Sequence, residues 1–112
     1  MLFRSPNSFK LKTKANIGVT TVGIYTVPAA TTSTIIGITL ANTSGGGINV
    51  GIGITRAAAD NINVLKSVPI PQGSSLEVMQ GNKVVLEATD TLTVTSDVNN
   101  SLDVAVSLLE MT

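Results

Sequence analysis

Glu77 and Glu87 fall on neighbouring predicted strands, a placement from which two carboxylates can divide acid and base work between them. Acids at such positions more often line a solvated strand face, and that is the expectation here. Nucleophilic catalysis needs a base beside the nucleophile. Serine and threonine are plentiful in this chain of 112 residues, but there is no histidine and no nucleophile-elbow spacing. There is no cysteine either, which excludes thiolate metal sites and a disulfide framework. Asp97, Asn99 and Asn100 cluster oxygen ligands that calcium would accept. They lack the regular acidic spacing and closing glutamate of a dedicated loop, so they read as a turn. Gly45-Gly46-Gly47 is not followed by Lys-Ser/Thr and does not form a phosphate-binding loop. No catalytic residue, metal or cofactor is expected, and the chain reads as non-enzymatic.

Binding is what remains. Arg4, Lys10, Lys12 and Lys14 gather near the N-terminus, and four cations can hold phosphates in a salt-sensitive way. The aromatic residues are Phe3, Phe9 and Tyr25 only, too few for sugar stacking or for a single-stranded nucleic-acid platform. The formal net charge is zero, so nucleic acid is not an expected partner. The charge is unevenly placed: residues 1–56 carry +5 and residues 57–112 carry −5. No run of about 18 apolar residues occurs, so no membrane span is expected. Met1-Leu2-Phe3-Arg4 lacks the apolar stretch of a signal peptide, and synthesis and folding in a cytoplasm are expected.

The elements that must carry any interaction read as strands. In Phe9–Ala15, Phe9, Leu11, Thr13 and Ala15 share one face and Lys10, Lys12 and Lys14 the other. Lysines on an edge strand oppose uncontrolled pairing. Such a strand is either a solvated edge or a lysine comb for an acidic neighbour. Residues 1–14 are read as a basic N-terminal arm and edge strand, and residues 15–112 as one β-domain. Asn16–Val27 places Val22, Ile24 and Thr26 in phase, and Thr34–Asn42 places Ile36, Ile38 and Leu40 in phase. Ile48, Val50, Ile52 and Ile54 alternate with Asn49, Gly51, Gly53 and Thr55. The glycine loop between those two runs predicts a hairpin. Two glycines on one face allow close backbone approach, by a neighbouring strand or by another subunit. Arg56–Asp60 has the composition of a short helical turn or a loop. Gln80-Gly81-Asn82 predicts a second hairpin, between Leu76–Met79 and Lys83–Glu87. Thr91–Ser96 and Leu102–Leu109 complete about eight strands at sandwich spacing. The expected fold is all-β, a single antiparallel β-sandwich wound as a jelly roll or an immunoglobulin-like Greek key.

The segments Tyr25-Thr26-Val27-Pro28-Ala29, Ile35-Ile36-Gly37-Ile38 and Ala41-Asn42-Thr43 are followed in order by Ile70-Pro71-x-Gly73-Ser74-Ser75-Leu76-Glu77 and the Gly81–Ser96 run. That order resembles small all-β virion structural proteins of tailed bacteriophages. The resemblance implies a capsid decoration or neck protein, located in the virion and made in the host cytoplasm. It implies a homo-oligomer, by analogy a trimer, with major capsid or neck proteins as partners. The alternative is a receptor- or glycan-binding module at a tail tip or fibre. The candidate interaction residues are Arg4, Phe9, Lys10, Lys12, Lys14, Gly51 and Gly53.

Overall fold

A computed structural model describes residues 7–56, 60–78 and 83–111. Among them are nine strands and no helix: β1 (Asn7–Ile17), β2 (Val22–Thr26), β3 (Thr32–Asn42), β4 (Ile48–Thr55), β5 (Ile62–Ile70), β6 (Ser75–Glu77), β7 (Val84–Leu86), β8 (Thr91–Ser96) and β9 (Leu102–Met111). All pairings are antiparallel. The front sheet runs β1-β9-β3 and then β6 and β7, both on β3; the back sheet runs β2-β8-β4-β5. Counting β6 and β7 as two pieces of one edge, the first position pairs the last, the second the seventh, the third the sixth and the fourth the fifth. That nesting is the jelly-roll winding of a β-sandwich.

Period-2 burial builds the core between the sheets. Leu102, Val104, Val106 and Leu108 of β9 face Ile48, Val50, Ile52 and Ile54 of β4, with Leu92 and Val94 of β8 beside them, all buried. Side chains on the opposite faces of these strands are partly or fully exposed, as strand geometry requires.

Four sequence expectations change. The runs flanking the glycine loop do not form a hairpin: β3 belongs to the front sheet and β4 to the back sheet. Both strands bury a full apolar face, so they serve the core better facing each other than side by side. The Asn42 amide pins this corner by donating to the carbonyls of Gly46, Ile70 and Pro71 at 2.8, 3.0 and 3.2 Å. The strands around Gln80-Gly81-Asn82 do not pair with each other either. Both β6 and β7 lie on β3, at Thr39–Ala41 and Ser33–Ile35, along one edge; residues 79–82 between them lie outside the described set. Third, a register shift at Ile24 reverses the phase of β2. Tyr25 and Val27 turn inward instead of Val22 and Thr26. Fourth, a shift at Ile36 leaves that residue exposed, while Ile35, Ile38 and Leu40 are buried. A bulge inserts one residue and so exchanges the faces beyond it. Of the predicted turn Arg56–Asp60, residues 57–59 lie outside the described set.

Candidate interaction surface

β1 is the edge strand its lysines predict, pairing with β9 from Asn7 to Ile17. Its two faces serve opposite ends from those their polarity suggests. Lys10, Lys12 and Lys14 stand opposite Leu108, Val106 and Val104, on the core side. There the first two close the open flank of the sandwich. Lys10 Nζ lies 3.1 Å from Glu110 Oε1, and Lys12 Nζ lies 5.9 Å from the Tyr25 ring centroid, within cation–π range. Glu110, the next core-facing position after Leu108, also accepts a short hydrogen bond from the Tyr25 hydroxyl. That hydroxyl lies 2.6 Å from Ser33 Oγ. The network joins β1, β9, β2 and β3 across both sheets. The Tyr25 bond, with help from Lys10, holds the Glu110 carboxyl below its ordinary range against the opposing effect of burial. Burial first, and Glu110 second, push the Tyr25 phenol up to about 12. The lysine comb is thus largely engaged within the subunit. Arg4 lies outside the described residues.

The acids are structural. Glu77 accepts a hydrogen bond from Thr39 Oγ1 at 2.7 Å, while Glu87 pairs with Arg56. Glu77 stands opposite Thr39 and Glu87 lies just past Leu86, which stands opposite Ser33, so β3 holds them well apart and they form no carboxylate pair. Buried Asp90 takes the Arg56 Nε–H at 3.1 Å and the Glu87 N–H at 2.9 Å, tying the end of β4 to the turn before β8. Asp97 accepts the Asn49 N–H at 2.9 Å and its side-chain amide at 3.2 Å. Among the described residues no group of three or more acids forms a metal cluster.

Gly51 and Gly53 lie on the outer face of the back sheet. A methyl group on Gly53 would meet the Ile62 carbonyl and Thr93 Oγ1 at 3.1 Å each; on Gly51 it would meet the Leu65 carbonyl and Thr95 Cγ2 at 3.4 Å. The glycines therefore let β5 crowd in, its register shifting twice along β4 and Ser67 taking a φ of 53°. They floor a groove of about 330 Å³ walled by hydroxyl and amide groups of Asn49, Asn63, Ser67, Thr93 and Thr95.

The outer face of the front sheet is different in character. Pairing registers place Phe9, Leu109, Thr34 and Val85 in one row across four strands. Phe9 is 77% exposed and Val85 58% exposed. The next row is Leu11, Ser107 and Gly37, with Leu11 64% exposed and bulged Ile36 beside Gly37. The row beyond is Thr13, Ala105, Thr39 and Glu77, where small side chains and their neighbours line a shallow groove of about 320 Å³. Period-2 alternation in Phe9–Ala15 foretold which residues share this face. It did not foretell that the lysines would stand on the core side and the apolar residues on the outer face.

The sheets and their nesting define a jelly-roll β-sandwich. No family model and no curated protein matches the chain. Among solved structures it is similar to a chain from Bacillus endospore appendages, described as a novel family of disulfide-linked pili, with a TM-score of 0.57 and 15% identity over 95% of this chain and 86% of that one. The likeness is one of fold.

Proposed function

We propose that this protein is a non-enzymatic structural subunit that assembles through contacts of its β-domain. One observation carries the reading: an in-register apolar field of Phe9, Leu109, Val85 and Leu11 on the water side of the front sheet. Exposed apolar side chains grouped in this way, with Thr34 alone between Leu109 and Val85, mark a protein interface. The fold likeness to a pilus chain is compatible with it. This sequence has no cysteine, so no disulfide within it links its copies. The finer reading, a capsid decoration or neck protein of a tailed phage, rests on the strand-and-turn resemblance of the sequence. Light scattering and negative-stain microscopy of the purified protein test the general role: ordered oligomers or polymers are expected, and monomers at every concentration would refute it. Antibody-fragment labelling of candidate phage particles tests the finer one. Label over the head or at one vertex is expected; no label, with no protein in particle mass spectra, would refute it.

The groove over Gly51 and Gly53 favours a second reading, a receptor- or glycan-binding module, because its walls offer hydroxyls and amides. Reproducible hits on a glycan array, lost when Thr93 and Asn63 are changed to valine and leucine, would establish that role instead.

A further inference from the structure

Resting on the assembly reading, we infer that the front sheet packs face to face on the same sheet of a second copy, about a two-fold axis along the Leu11–Ser107–Gly37 row. Large and small residues divide on either side of that row. On one side stand Phe9 and Leu109; on the other stand Thr13 and Ala105. A two-fold axis lying in the face and crossing the strands brings each row onto the other. Phe9 then meets Thr13 of the second copy, Leu109 meets Ala105, Thr34 meets Thr39, and Val85 lies along the stem of Glu77. Phe9 and Leu109 thus face small side chains, Leu11 meets its own copy on the axis, and the ridge of each copy enters the groove of the other. An isologous interface has this reciprocity, residue i on j and j on i, and sheet faces interdigitate in this manner.

Charge agrees with a second copy. The described outward positions of the three central rows hold one charged residue, Glu77, at the edge strand where water reaches it and with its carboxylate on Thr39. Asp103 lies one row further out, its carboxylate accepting the Asn16 N–H. No lysine or arginine occupies the strand-paired outward positions of these rows, and the nearest cations, Lys83 and Lys14, stand at the rim, a sparse provision for an anionic lipid surface or nucleic acid. Area agrees as well. Five rows about 6.7 Å apart on four strands about 4.8 Å apart give a flat face of roughly 600 Å². Two such faces bury roughly 1,200 Å², the low end of specific interfaces. The dimer is therefore concentration-dependent.

The cysteine-free chain makes a direct test. Ser107 lies on the axis and is exposed, so in Ser107→Cys the two thiols face each other across packed sheets about 10 Å apart. A short bismaleimide of that span should join most of the protein into covalent dimers. Asn63→Cys, exposed on the other sheet, should give at least tenfold less. Phe9→Glu, at a position already in water, should keep the β-sheet circular dichroism and raise the dimer dissociation constant at least tenfold. Equal crosslinking at residues 107 and 63, or unchanged association of Phe9→Glu, would overturn this interface. If the unmodified protein still assembles in those cases, the structural role stands and only the proposed face falls. If the unmodified protein is monomeric throughout, both fall.

Discussion

At the scale of single residues, polar groups hold the two sheets at defined points. Asp90 is buried and bound to Arg56 and to the Glu87 amide. Asp90→Ala leaves the Glu87 N–H without its acceptor and Arg56 with Glu87 alone, so it should lose about 1–2 kcal/mol of stability in urea denaturation. Glu110 and Tyr25 give a pH signature at each end. The folded Glu110 carboxyl titrates below its ordinary value of 4.5. Below that ordinary value the unfolded chain takes up the proton first, so the stability Glu110 contributes is complete above it and is lost as pH falls through the lowered folded value. Tyr25 works in the other direction. Its phenol is held protonated to about 12 in the fold, against 10.0 ordinarily. Its contribution is complete below pH 10 and is lost as pH rises from there to about 12. Tyr25→Phe should flatten the alkaline limb, and Glu110→Gln the acid limb, of melting temperature against pH. Neither group was evident as a partner in the sequence. The available signal was parity, because Glu110 continues the Leu102–Leu108 alternation and so had to point inward.

At the scale of elements, the sequence told strands from turns well and told partners poorly. Alternation is local, and it correctly located β4, β8 and β9. Which strand lies beside which is decided by the core, and both predicted hairpins gave way to it: the glycine loop crosses between sheets, and β6 and β7 share β3. Bulges were equally hidden. One residue at Ile24 and another at Ile36 reversed the faces read from simple alternation. The corner of the glycine loop depends on Asn42, whose oxygen also receives the Ser44 N–H at 2.9 Å. Asn42→Ala removes the side-chain donor to the Ile70 carbonyl, a buried bond, and should cost about 1–2 kcal/mol by thermal melts. The glycine pair is tested by contrast. Gly53→Ala forces contact with the Ile62 carbonyl and should cost about 1–3 kcal/mol, whereas a methyl on Gly45 meets nothing within 4 Å and Gly45→Ala should melt near the parent temperature.

At the scale of the whole molecule, the two outer faces differ. The back sheet presents threonine, asparagine and glycine; the front sheet presents an apolar ridge beside a small-residue groove. The candidate residues named from sequence sort accordingly. Phe9 belongs to the apolar face, Lys10 and Lys12 seal the sandwich flank, and Gly51 and Gly53 admit β5. A sequence gives the parity of a strand but not the side on which the core lies, and for β1 only the fold decides that. If this chain is built to associate, sedimentation velocity over a wide concentration range will show it. The sedimentation coefficient should rise with concentration in the native chain and stay at the monomer value in Phe9→Glu. A native chain that sediments as a monomer at every concentration would contradict it.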